Sequence, residues 1–175
     1  MDQSAKFWDR IAKRYSKKPI ADEATYQKKL EITRKYFRPD MEVLEFGCGT
    51  GSTALLHAPY VKHIHAMDIS SKMIEIAQGK ADTQNVGNIT FECTAIDTCS
   101  LPDQTMDAVL GLNILHLVEN RDEIIAKIHE MLKPGGVRRD IPTSELAGIR
   151  GMLDALDQPL NLFRNTIADD PLIQA

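Results

Sequence analysis

Val43-Leu44-Glu45-Phe46-Gly47-Cys48-Gly49-Thr50-Gly51-Ser52 decides how the rest of this 175-residue chain is read. Val43, Leu44 and Phe46 suit a strand buried on both faces, as in a parallel sheet. Glu45 interrupts that apolar run just before alternating glycines at 47, 49 and 51. Glycine lets the backbone turn sharply and lets a ligand press where a Cβ would collide. Thr50 and Ser52 are placed to cap a following helix. The stretch therefore predicts a strand, a ligand-cradling loop and a helix. Short glycine patterns also recur in ordinary turns, so the neighbouring segments carry the decision.

Working outward, the bulk composition fits one globular domain, since 43% hydrophobic and 26% charged residues suffice for a core and a solvated surface. A formal net charge of −4 offers no basic excess for a phosphate backbone, despite a local group at Lys13, Arg14, Lys17 and Lys18, and argues against nucleic acid as the main partner. Cys48, Cys93 and Cys99 are odd in number and lack C-x-x-C spacing, which favours free thiols in a reducing compartment. The first residues lack the apolar core of a signal peptide, and no apolar run approaches membrane-spanning length. A cytoplasmic location is expected.

Upstream of the opening stretch, Phe7, Trp8, Ile11 and Tyr15 share one side of an amphipathic helix over 4–18, before Pro19. A second helix from Asp22 carries Tyr26, Leu30, Thr33 and Phe37 inward and ends before Pro39. Downstream, strands and helices alternate. Strand 41–46 leads to helix 51–58, strand 63–68 ends on Asp68, and Ser70 caps helix 71–81 with its stripe of Met73, Ile74, Ala77 and Ala81. A third strand at 88–95 stops before Ile96-Asp97, a fourth spans 107–112, and a helix over about 121–132 runs into Lys133-Pro134-Gly135-Gly136. Such alternation predicts an open parallel sheet wound in right-handed β-α-β units. Ligands of these sheets bind beyond the carboxyl ends of the strands, where Glu45, the glycines, Asp68, Asp97 and Asn113 all fall.

The ligand is narrowed by spacing. A dinucleotide fingerprint would place its third glycine where Ser52 stands, which weakens an NAD reading. Glu45 suits a ligand with an ammonium or sulfonium better than a pyrophosphate. The sequence resembles a class I S-adenosylmethionine-dependent methyltransferase of the small-molecule type over roughly residues 5–136. VLEFGCGTGS resembles the family's first motif, MDIS the end of its second strand, TAID and DAVLGLNILHLV its third- and fourth-strand motifs, and MLKPGG the turn toward its fifth strand.

The resemblance implies a Rossmann-like α/β fold, S-adenosylmethionine as cofactor and methyl transfer to a small-molecule acceptor. It implies Glu45, Gly47 and Gly49 as the floor for the cofactor's methionine part, and Asp68 as a bidentate acceptor for the ribose hydroxyls. Ile69 and Met73 would lie along the adenine, Ile96 beside its ring, and Asp97 would accept from its amino group. Asn113 would contact the methionine end, and His116, facing the acceptor, is the candidate catalytic base. The two N-terminal helices would form a lid, with Tyr15 near the methionine group. Structural readings stand beside these: Asp68 and Asp97 as loop caps, Tyr15 as helix core, and His116 as a packing or surface residue. His63 and His65 share a strand face without a third ligand nearby, so no metal is expected.

After Gly136 the chain leaves the family pattern. Val137-Arg138-Arg139-Asp140-Ile141-Pro142 is too charged for a strand buried on both faces, so about four strands are expected and the fifth is read as absent or very short. A helix from Thr143 or Ser144 with Leu146, Ile149, Leu153 and Leu156, then the apolar group Leu160, Leu162, Phe163 and Ile167, predicts a helical tail replacing the usual fifth to seventh strands. Residues 1–136 are therefore read as the methyltransferase-like domain and 137–175 as its atypical tail. The fourth strand's free edge would then invite self-association. The rival functions are a degenerate domain that binds cofactor or partner without catalysis and, more weakly, an NAD-dependent oxidoreductase.

Overall fold

Two helices precede the sheet. The computed structural model describes residues 3–118 and 120–139, and the tail helices expected beyond residue 140 lie outside that range. Helix α1 (Gln3–Tyr15) buries Ala5 and Ala12 rather than its aromatic stripe. Phe7 and Tyr15 remain 46% and 48% exposed, each side by side with Trp8 in an edge-to-face contact at 5.4 and 6.0 Å. Small residues let α1 lie close to its neighbour, and the bulky stripe points elsewhere. Helix α2 (Glu23–Arg34) begins as expected at Asp22, whose carboxylate accepts the Thr25 N–H at 2.9 Å. Its inner face holds Leu30 and Thr33 as read, with Lys29 buried beside them.

Five parallel strands follow: β1 (Glu42–Phe46), β2 (His63–Asp68), β3 (Ile89–Cys93), β4 (Met106–Leu110) and β5 (Leu132–Arg139), in the order β3-β2-β1-β4-β5. Between them come α3 (Ser52–His57), which a single 3₁₀ turn at Ala58–Tyr60 extends, α4 (Ser71–Gln84) and α5 (Arg121–Met131). The period-2 alternation of β1 divides the core. Val43 packs in one cluster with Ala54, Ala81 and Ile64, while Leu44 and Phe46 pack in the other with Ile124, Ile128 and Met131. Full burial of side chains such as Leu44, Ile64 and Ile128 contributes about 1.5–3 kcal/mol each. Among the described residues no helix is long and apolar enough to cross a membrane, and Cys48, Cys93 and Cys99 are free thiols.

Three expectations are corrected. The fifth strand is present, and β5 pairs in parallel with β4: Leu132 opposite Met106, then Val137, Arg138 and Arg139 opposite Ala108, Val109 and Leu110. The intervening Lys133-Pro134-Gly135-Gly136 is accommodated in a register shift, so the missing N–H of Pro134 costs the ladder nothing. Gly135 takes φ +80°, and a Cβ on Gly136 would stand 2.9 Å from the Lys133 carbonyl oxygen. Lys133 reaches back to Asp107 at 2.7 Å, closing the bulge. Among the described residues β5 is an outer strand, where charge is tolerated as it would not be at the centre. The β4 edge is therefore paired, and the exposed fourth-strand edge invoked for self-association does not exist. The strand also carries the sheet past the boundary expected at residue 136.

Candidate functional site

The rim forms where β1 turns into the glycine loop, between β2 on one side and β4 on the other, which is the point where strand order reverses. Glu45 pairs across to Ala66 and Leu110 and is 3% exposed. Its Oε2 has no hydrogen-bond partner, and burial pushes its pKa up to about 8. The same carboxyl adds to the burial that pushes the hydroxyl of Tyr26, on α2, up. The Tyr26 hydroxyl pairs with Thr53 Oγ1 at 3.1 Å, tying α2 to the first turn of α3.

The loop is stitched to β2. Cys48 N–H donates to the Met67 carbonyl at 3.0 Å, and Gly49 N–H to Asp68 Oδ2 at 2.9 Å. The other Asp68 oxygen accepts the Ser70 N–H, also at 2.9 Å. Burial pushes the Asp68 pKa up against the opposing pull of these two donors. The three glycines have separate reasons. A Cβ on Gly47 would meet Ile114 at 2.5 Å, and one on Gly51 would meet Ala77 at 2.7 Å, so both serve close packing. Gly49, at φ +54°, has nothing within 4 Å of that position and opens to the rim.

Thr50 and Ser52 do not cap α3. The helix starts from Gly51 without a side-chain cap, and both hydroxyls instead accept from the ammonium of Lys80 on α4, at 2.9 Å each. Lys80 also donates to the Thr50 carbonyl at 3.0 Å. Lys80→Met keeps the aliphatic stem and removes these bonds. It is expected to cost about 1–3 kcal/mol of stability and to speed amide exchange at residues 50–52 by roughly tenfold. Unchanged exchange would mean that the backbone bonds hold the loop alone.

The remaining sequence candidates are spread in depth. Ile69 is half-buried, Met73 is 2% and Ile96 5% exposed, and both of the latter belong beneath the surface. Asp97, Asn113 and His116 are exposed, with Asn113 at φ +59° and His116 in a single 3₁₀ turn. Tyr15 sits against Trp8 and is not part of the helix core. The structure thus brings Glu45, Gly47, Gly49 and Asp68 together through direct bonds and backbone, whereas Tyr15, Asp97 and His116 share no described contact with them. Sequence reading missed Lys80 and Asp9. Lys80 carried a signal, standing one heptad after Met73 on the buried stripe of α4. Asp9 carried none, because its partners Ser70 and Lys72 lie 61 and 63 residues away.

A family description, methyltransferase domain, matches residues 43–136. An uncharacterized methyltransferase of Bacillus subtilis, YcgJ, is 27% identical over 128 residues, covering 73% of this chain and 50% of its own length. Its crystal structure superposes with a TM-score of 0.61 at 26% identity, over 63% of this chain and 48% of that one. Phosphoethanolamine N-methyltransferase of Plasmodium falciparum is 30% identical over 115 residues, 61% of this chain and 42% of its own. A solved [4+2]-cyclase, SpnF, also superposes at 0.61, with 25% identity over 65% of this chain and 43% of its own. The chain spans half or less of the length of these relatives.

Proposed function

This chain belongs to the methyltransferase-domain family, and from that premise we propose that it transfers a methyl group from S-adenosylmethionine to a small-molecule acceptor. When bound, S-adenosylmethionine, the family's cofactor, supplies a methyl group activated on a sulfonium. The observation that carries the reading is the buried Glu45 carboxyl with an unpartnered oxygen, at the foot of a loop whose Gly49 opens to the rim. An isolated buried carboxyl is costly, and a ligand bearing an ammonium and a sulfonium offsets that cost where a pyrophosphate would raise it. The residues present therefore fit this cofactor.

In this reading Glu45, Gly47 and Gly49 floor the methionine end, and Asn113 borders it. Asp68 receives the ribose hydroxyls with the lone pairs that Gly49 and Ser70 leave free. Ile69 flanks the adenine, Met73 and Ile96 shape its pocket from beneath, and Asp97 accepts from its amino group. Rate enhancement comes chiefly from holding donor and acceptor close and in line. His116 serves as base for an acceptor that must lose a proton, and Tyr15 acts from the lid. Relatives named for phosphoethanolamine, malonyl-[acyl-carrier protein] and ubiquinone-biosynthesis methylation support an acceptor with a small reacting group. A second reading, binding without methyl transfer, is favoured by the cyclase that shares the fold.

Calorimetric titration of the full chain with S-adenosylhomocysteine and, separately, NAD tests the cofactor assignment. Saturable binding of the first is expected, and binding of NAD alone would overturn it. Consumption of S-adenosylmethionine across a panel of small amines, phenols and carboxylates then separates the two readings. Tight binding with no turnover on any acceptor would favour the second.

A further inference from the structure

We propose that Asp9 is a positioning residue which, from α1, holds Ser70 and through it the Asp68 carboxylate in the orientation that receives the cofactor's ribose. The inference rests on the reading of this rim as an S-adenosylmethionine site. Asp9 Oδ1 accepts the Ser70 hydroxyl at 2.7 Å, the Lys72 N–H at 3.0 Å and the Ser71 hydroxyl at 3.5 Å. Ser70 is the N-cap of α4, and its Oγ also accepts the Met73 N–H at 3.1 Å. Its own N–H donates to Asp68 Oδ1, while Asp68 Oδ2 accepts from Gly49. One continuous run of bonds therefore passes from α1 through Ser70 and Asp68 to the glycine that opens on the rim.

Two features make Asp9 more than a surface cap. Ser70 is fully buried with Asp9 in place and its hydroxyl donates to Asp9, so removing Asp9 forces that donor to another partner and geometry. Helix α1 docks on α4 through the small residues Ala5 and Ala12 with Trp8 and Ile11 half-buried, and leaves Phe7 and Tyr15 exposed. Asp9 adds to that packing a charged acceptor with three donors, all at the N-terminus of α4. Coupling of this kind is reciprocal: whatever orders Asp68 holds α1 down, and whatever holds α1 down orders Asp68.

The chain has one tryptophan, Trp8, next to Asp9, which reports α1 docking by acrylamide quenching. In full-length Asp9→Ala, quenching of Trp8 is expected to rise and S-adenosylhomocysteine affinity to fall about tenfold, mainly through faster dissociation, with Asp9→Asn losing about threefold because it keeps an acceptor oxygen. The decisive readout is ribose discrimination. The ratio of affinities for S-adenosylhomocysteine and its 2′-deoxyribose analogue should shrink at least about threefold in Asp9→Ala, because a poorly oriented Asp68 gains less from the hydroxyl. A purely structural role would weaken both ligands equally, and an unchanged ratio overturns the proposal. If Asp9→Ala does not fold, the same ratio in Asp9→Asn decides, and an unchanged value again overturns it. Wild-type protein that binds neither ligand would instead sink the site assignment, whatever Trp8 reports.

Discussion

Asp68→Ala is expected to lower the affinity for S-adenosylhomocysteine by about a hundredfold or more, the loss of two charge-assisted hydrogen bonds at about 1.5–3 kcal/mol each. The substitution has a second consequence, because the Asp68 oxygens also accept the Gly49 and Ser70 N–H groups at 2.9 Å. Loop and α4 cap are thus loosened together, and the melting temperature should fall as well. Asp68→Asn separates the two effects. It keeps one acceptor oxygen for the backbone but presents an amide to the other donor, so stability recovers further than binding does. Titration calorimetry beside thermal melts provides the comparison. Binding by Asp68→Ala within fivefold of wild type would remove Asp68 from the ribose site.

The second large effect concerns pH. The buried Glu45 has its pKa raised from 4.5 to about 8, so between those values the folded chain holds a proton that the unfolded chain has released. Its contribution therefore declines as pH rises through that window. His57 opposes it. The ring is fully buried, with neither nitrogen partnered, edge-on to Phe37 at 5.1 Å, and burial lowers its pKa from 6.5 to about 3. Between those values the unfolded chain holds the extra proton, and stability rises with pH.

The two slopes cancel between roughly pH 4.5 and 6.5, which leaves a net fall of about 2 kcal/mol between pH 6.5 and 8. Glu45→Gln should abolish that fall and uncover the His57 rise at lower pH, as urea melts across the range would register. A profile unchanged by Glu45→Gln would show that the carboxyl is ionised in the fold. Ligand binding reads the same group differently. S-adenosylhomocysteine, carrying an ammonium, should release about one proton per site near pH 6.5 from wild type and almost none from Glu45→Gln, measured in buffers of different ionisation enthalpy. Equal release by both proteins would move the ammonium away from Glu45.

Much of the local structure at this rim was legible because its signals are short-range. Ser70 caps the helix it precedes, the second helix starts at Asp22 and Asp68 closes β2, each inferred from neighbours within four residues. Thr50 and Ser52 misled because the same hydroxyls that suit a cap also suit the ammonium of Lys80, 30 and 28 residues away. The fifth strand was misread for a related reason. Charge at Arg138 and Arg139 argues against a central strand, yet among the described residues β5 is an outer strand, with a register shift closed by Lys133 and Asp107.

Periodicity, caps and glycine spacing were enough to order the elements and bring Glu45, the glycines and Asp68 to one rim, since strand ends follow from patterns a few residues long. Tertiary structure alone assigned Gly47 and Gly51 to packing and left Gly49 open, buried the Glu45 carboxyl without a partner, and joined Asp9 to Ser70. Those outcomes depend on which distant surfaces meet. A hydrogen-bond partner 61 residues away leaves no periodic trace in the chain that carries it.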